Sequence, residues 1–400
     1  MLVTLAFICI IFSMFLTFFF NAGSIKTAFI EGYRLTVPTG APILERAEGA
    51  IDTLEEQIDE HIAYRDGFNE IYGASQLAMN KKIMRDPNYG NLFKTTYGQI
   101  TYSVKEKTIL PYVSRTVELA SQIEAAGIPF LYVQAPFKLP ADEQQLPGAY
   151  TDYSNVNADR FLALINAYGV KSYDLREDFW NTDKTQNELF FNTDHHWTID
   201  SAFYATGLLE QYLNENYDFG IDEKYYNIDS YIRTTYKDNF IGSMGRRVGR
   251  IYGGIDDFTL ITPNFETNLT LTEWNWGTDT VYQGSFEDAI LVDDYITPAE
   301  PETNRYAVYH GDYTKMEFVN HLVDNDKRIL IIKDSFGVPV YSFLSLGIKE
   351  VAAIDVRIFD QDVAQYAIDF NPDLVVLFYN ADSLNKEMFQ FKEKILTPTN

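Results

Sequence analysis

The first feature along the chain is an unbroken apolar run. Leu2 to Phe20 (LVTLAFICIIFSMFLTFFF) carries no charge, and its only polar side chains are Thr4, Cys9, Ser13 and Thr17. At ~1.5 Å of rise per residue a helix of this length crosses a hydrocarbon core, and it has no polar face to turn toward water. Residues 1–22 are therefore expected to form a transmembrane anchor or signal-anchor, with no A-x-A cleavage site among Asn21, Ala22, Gly23 and Ser24. Lys26 and Arg34 follow the run, a charge bias that favours the opposite orientation. Long domains translocate despite such a bias, so the expected location is the cell membrane with the bulk of the chain outside it.

Beyond the run the pattern becomes helical. Ile51, Leu54, Ile58, Ile62, Phe68, Ile71 and Leu77 recur mostly at three- and four-residue steps, until Pro87-Asn-Tyr-Gly90 breaks the period. Residues 23–100 are expected to be a helical N-terminal region. A different grammar then begins: helix near Thr108 to Ala126, Gly127, and the apolar strand Ile128 to Gln134. It repeats as Arg160 to Tyr168, Gly169, and Val170 to Leu175, and Ile199 to Leu213 is again amphipathic. Residues 214–304, rich in Tyr, Asp, Asn, Thr and Gly, read as short strands and loops inserted as a lid or binding face. Afterwards come strand Arg328 to Lys333, a turn over Asp334 to Gly337, helix to Leu346, strand Glu350 to Asp355 and strand Leu374 to Tyr379. Helix, Gly, strand is the order of an α/β domain with a parallel sheet, expected over residues 101–400.

Composition narrows the partners. The 400 residues hold 32 Lys+Arg against 57 Asp+Glu, a net charge of −25, which argues against binding a phosphate backbone; nucleic acid is not expected. Cys9 is the single cysteine, so neither an intrachain disulfide nor a cysteine-based zinc site forms.

Three motifs carry chemistry. Asn192-Thr-Asp-His-His-Trp-Thr198 holds two of five histidines beside an acid. An Asp two residues before a His turns back onto the imidazole and fixes its tautomer, as in a Ser-His-Asp triad. Ile329-Leu-Ile-Ile-Lys-Asp-Ser-Phe-Gly337 is an apolar strand ending in Asp-Ser before a helix, where open α/β sheets place their sites and helix amides stabilise an oxyanion. The same residues also suit a helix cap. Leu374-Val-Val-Leu-Phe-Tyr-Asn380 ends another strand in an amide donor able to join the Ser335 N–H in an oxyanion hole, or to form a turn. The combination predicts Ser335 as nucleophile, His196 as general base and Asp194 as its orienter. Arg357, His195 and Trp197 are the candidates for substrate contact, with Arg357 equally suited to pair with Asp355 or Asp360. His310 reads as a surface-loop histidine. Asp194-His195-His196 also suits a metal-dependent phosphoesterase, which needs further ligands in separate motifs; no metal and no cofactor is expected.

The TDHHW run, IIKDSFG, IDVRIF at 354–359 and LVVLFYN together resemble the DHHW family, which is similar to the SGNH-hydrolase-like domains of bacterial alginate O-acetyltransferases. The resemblance covers most of the chain after about residue 45, including Arg65 and the APFK run at 135–138. It implies an SGNH-hydrolase-like, flavodoxin-like parallel-sheet sandwich with a mixed β-rich insertion, and Asp194, His196 and Ser335 match the family's functional residues. Asn380 and Gly337 become its oxyanion-hole candidates, although Lys333 stands where SGNH enzymes carry Gly. The implied function is an extracytoplasmic O-acetyltransferase or esterase acting on a cell-surface polysaccharide, supplied by a membrane-bound acyl-group exporter. The alternative is a non-catalytic carbohydrate-binding or assembly component that retains the fold.

Overall fold

The computed structural model describes residues 65–141, 145–275, 278–297 and 299–392, with isolated positions between 12 and 54. The expected anchor over 1–22 lies, apart from such positions, outside the described residues; among those described, no helix is long and apolar enough to cross a membrane. The chain divides into two compact units, residues 1–72 with 393–400, and Gly73–Lys392. Every described residue of the first unit is helical.

Helical structure ends at Ala78, short of residue 100. Ile83–Asp86 (β1), Gly90–Lys94 (β2) and Ile100–Thr101 (β3) instead form a small antiparallel sheet. The expected helical region is thus corrected from Ile83 onward, because Pro87, Asn88 and Gly90 make a hairpin turn in which Asp86 Oδ1 accepts the Asn88 and Tyr89 amides.

Among the described residues the main sheet has eight strands. Phe130–Ala135 (β4), Ser172–Asp174 (β5), Arg328–Lys333 (β11), Glu350–Ile354 (β12) and Leu374–Asn380 (β13) are parallel, in the spatial order β5-β4-β13-β11-β12. Read from β11, the neighbours are those of the 2-1-3-4-5 flavodoxin-like order, with the chain entering at the fourth strand. The direction of winding therefore reverses between β11 and β13, and the crevice at their carboxyl ends is the expected ligand position.

The apolar runs of β4, β11 and β13 are buried on both faces, as parallel strands require. Their alternation divides the core. Ile329, Ile331, Val376 and Phe378 pack with helices Ile199–Tyr217 (α1) and Gly337–Gly347 (α2). Leu330, Ile332, Val375 and Leu377 pack with helices Leu110–Ala125, Ser154–Ala167 and Val363–Phe370 on the other face.

The insertion is less separate than its composition suggests. Tyr231–Phe240 (β6) and Asp256–Pro263 (β7) pair as a two-stranded sheet, whereas Leu269–Asn275 (β8), Thr278–Gly284 (β9) and Lys315–Asn320 (β10) extend the main sheet antiparallel beyond β12.

Candidate active site

Ser335 follows β11 by two residues and precedes α2 by two, so its hydroxyl stands at the carboxyl edge of the sheet beside a helix N-terminus. Asp334 shapes this turn. Its Oδ1 accepts the Phe336 N–H at 2.9 Å, and its Oδ2 accepts the Asn380 N–H at 2.7 Å, the Asn380 side-chain amide at 2.9 Å and the Ser383 hydroxyl at 2.6 Å. One buried carboxylate thereby ties the end of β11 to the end of β13. Burial raises its pKa, opposed by these donors.

The loop 191–196 arrives from the other direction. It is closed by the bridge between Phe190 and Trp197 and by the Phe191 N–H on His196 O at 3.2 Å, and Thr198 then caps α1. Asp194 Oδ1 accepts both the His196 N–H at 3.0 Å and His196 Nδ1 at 2.6 Å; His196 Nε2 lies 2.7 Å from Ser335 Oγ. Burial opposes the Asp194 charge, but His195, His196 and the hydrogen bonds from His196 outweigh it and hold its pKa well below the ordinary carboxylate value. A carboxylate there fixes the tautomer with the proton on Nδ1 and leaves Nε2 to accept from Ser335. The His196 ring lies between Tyr306, stacked at 4.0 Å and 13°, and His195, at 3.8 Å between centroids.

Several determinants of this arrangement escaped the sequence reading. From the insertion, the Ser243 N–H donates to Asp194 Oδ2 at 2.7 Å and the Gly242 N–H to Thr193 Oγ1 at 2.8 Å. From β7, Asp256 accepts the Asn192 and Thr193 amides at 2.6 and 2.7 Å. Below the loop, Lys138 is fully buried among backbone carbonyls; burial lowers its pKa, opposed by the carboxylates of Asp256 and Asp194. The segment expected to be a lid or binding face furnishes part of the surroundings of Asp194. The one legible signal was Lys138 itself, a charge three residues beyond the apolar strand Phe130–Ala135.

His195 stays beside the site, its side chain 24% exposed, with Nδ1 3.4 Å from Ser243 Oγ; burial and the neighbouring His196 push its pKa to about 3, so it is neutral. Trp197 is corrected: it is fully buried among Phe179, Phe336 and Phe378 and donates Nε1–H to Tyr306 OH at 2.9 Å, because the residue after His196 points into the core. Arg357 pairs with Asp355 and reaches Asp312 Oδ2 at 3.3 Å. Lys333, wholly buried, also pairs with Asp312, and these two cations outweigh burial to hold the Asp312 pKa near 2. Asn380 and Gly337 do not present oxyanion donors. The Asn380 amide is occupied by Asp334 Oδ2 and by Ser383 Oγ at 3.3 Å, and the Gly337 N–H donates to Asp334 O at 3.0 Å. Gly337 is required for packing, since a Cβ would meet Lys333 Cβ at 2.7 Å. The Ser335 N–H has no acceptor among the described residues. His310 is buried rather than exposed, with Nε2 2.8 Å from Glu273 Oε2.

Potential ligand atoms of Asp194, His195 and His196 lie within 4.8 Å of one another, the one such group of three among the described residues. Both ring nitrogens of His196 already face Asp194 and Ser335, so this donor set fits proton transfer better than metal ligation.

The five parallel strands with their antiparallel extension have an SGNH-hydrolase-like α/β fold with a mixed sheet. Residues 92–231 match the SGNH hydrolase-like domain of acetyltransferase AlgX. Among solved structures the chain is similar to Bacillus cereus PatB1 with a sulfonyl adduct, at 24% identity and a TM-score of 0.61, covering 78% of this chain and 100% of that one. It is also similar to a DHHW family protein from Eubacterium siraeum, at 18% identity and a TM-score of 0.58, covering 79% and 98%. No curated protein matches the chain.

Proposed function

We propose that the chain is a serine-dependent O-acyl transferase or esterase that handles acetyl esters on a cell-surface polysaccharide outside the membrane. The observation that carries this reading is the continuous relay from Asp194 Oδ1 to His196 Nδ1 at 2.6 Å and from His196 Nε2 to Ser335 Oγ at 2.7 Å. A carbohydrate-binding component without catalysis has no need of a hydroxyl and an imidazole within hydrogen-bond reach.

In the first half-reaction His196 Nε2 takes the Ser335 proton as Oγ bonds to the acetyl carbonyl carbon. The Ser335 N–H and the N-terminus of α2 stabilise the oxyanion. The ester C–O bond then breaks, and the leaving alcohol takes the proton from His196. In the second half-reaction His196 deprotonates a sugar hydroxyl or water, whose oxygen bonds to the acyl carbon; the acyl–Oγ bond then breaks and Ser335 Oγ takes the proton back from His196. A sugar acceptor makes the reaction a transfer and water makes it hydrolysis. His195 lies beside this reaction centre, neutral and partly exposed, suited to contact the acceptor. The match of residues 92–231 to an acetyltransferase domain supports acetyl as the acyl group. An acyl-group exporter in the same membrane would supply the donor.

Hydrolysis of a chromogenic acetyl ester by the full chain tests the reading. Ser335→Ala and His196→Ala, folded by circular dichroism, are expected to lose about 10³-fold or more of wild-type activity. Wild-type rates in both variants would place the chemistry elsewhere.

A further inference from the structure

The loop that carries Asp194 is irregular backbone inside the protein, so its peptide groups need partners other than a helix or a sheet. They find two buried charges. Lys138 Nζ donates to Ile100 O at 2.6 Å, Phe191 O at 2.6 Å and Asp194 O at 2.8 Å, with Asn192 O at 3.2 Å. The amides of the same segment meet an anion: Asp256 accepts from Asn192 N at 2.6 Å, Thr193 N at 2.7 Å and Thr193 Oγ1 at 2.5 Å. Carbonyls converge on the cation and amides on the anion, the arrangement that favours both charges. Lys138 forms no ion pair with a carboxylate among the described residues.

A buried ammonium with no carboxylate in direct contact is expensive, and an apolar side chain of similar length fills the same space at lower cost. Its charge is spent on one segment, the backbone of Phe191, Asn192 and Asp194, with a single further bond to Ile100. Charge-assisted hydrogen bonds are shorter and about twice as strong as neutral ones, which suits fixing a position. We propose that Lys138 and Asp256 are positioning residues, a pair of opposite buried charges that pins the 191–194 backbone so that Asp194 holds His196 against Ser335. This rests on the reading of Ser335, His196 and Asp194 as the reacting group and its relay. Neither side chain touches the substrate; both act through Asp194.

The test is steady-state hydrolysis of a chromogenic acetyl ester by the full chain, comparing Lys138→Met and Asp256→Asn, each alone and combined with Asp194→Asn. Each replacement is expected to lower kcat by about 10- to 100-fold with KM little changed. In the Asp194→Asn background each is expected to cost less than about twofold, because the residue through which it acts is already disabled. A lower unfolding temperature with wild-type kcat, or the same fold-loss in both backgrounds, overturns the proposal. Asp256→Asn keeps the size and polarity of the side chain and carries the same test if Lys138→Met does not fold. Ser335→Ala, measured alongside, separates the two possible failures. If it is as active as wild type, the reading of the site falls and takes this proposal with it. If it is inactive while Lys138→Met and Asp256→Asn keep wild-type kcat, the positioning role alone falls.

Discussion

Gly242 and Asp194 are packed so closely that a Cβ built on Gly242 would lie 2.2 Å from the Asp194 Cβ. The glycine is not there for backbone freedom, since its φ of −73° suits any residue. It is there because helix Ser243–Val248 must approach the loop near enough for the Ser243 N–H to reach Asp194 Oδ2.

Gly242→Ala is therefore expected to push Asp194 away from His196. A displacement of ~1 Å in such an arrangement costs about 10²-fold in rate. Ester hydrolysis should fall by that order while the far-UV circular dichroism remains that of wild type; unchanged kcat would show that the backbone yields instead.

Asn380→Ala distinguishes a bracing amide from an oxyanion donor. With its amide on Asp334 and Ser383, removal is expected to lower stability by about 1–3 kcal/mol and kcat by less than about tenfold. A direct oxyanion donor would show the reverse, about 10²- to 10³-fold in kcat with little loss of stability. Urea unfolding and ester hydrolysis on the same preparation separate the two.

Glu210 is a buried acid on α1 whose two carboxyl oxygens have no hydrogen-bond partner in the described structure. Burial raises its pKa well above the ordinary value, so the folded chain keeps a proton that the unfolded chain releases above about pH 4.3. The native state binds more protons in that window, and this contribution to stability falls as pH rises toward the folded pKa. Glu210→Met is expected to stabilise the chain more at about pH 8 than at about pH 5, by about 1–3 kcal/mol at the higher pH. An equal change at both pH values, by urea unfolding, would mean that Glu210 does not retain its proton.

The parallel strands were legible because burial on both faces leaves a continuous apolar signature: Ile329 to Ile332 and Leu374 to Phe378 read as strands before any fold is known. Ser335, His196 and Asp194 were legible through local pattern, an Asp two residues before a His and a Ser at a strand-to-helix turn. What lay hidden was long-range. Ser243 and Asp256 reach the Asn192–Asp194 segment from about 50 to 60 residues downstream, and nothing in Gly242-Ser-Met-Gly245 announces a partner. Trp197 misled because a motif places its residues side by side in sequence while backbone alternation sends His196 and Trp197 in different directions. The strands Ile83–Asp86 and Gly90–Lys94 are too short and mixed in polarity to stand out after a helical run.

The proposed reaction depends on Ser335 taking the acyl group. The most direct measurement is mass spectrometry of the full chain, intact and after peptide digestion, following brief exposure to an activated acetyl ester. The account predicts one acetyl group on the peptide containing Ser335 in the wild-type chain, and none on that peptide in Ser335→Ala or His196→Ala. Turnover of the ester with the acetyl group on another residue, or labelling of Ser335 unchanged in His196→Ala, would contradict it.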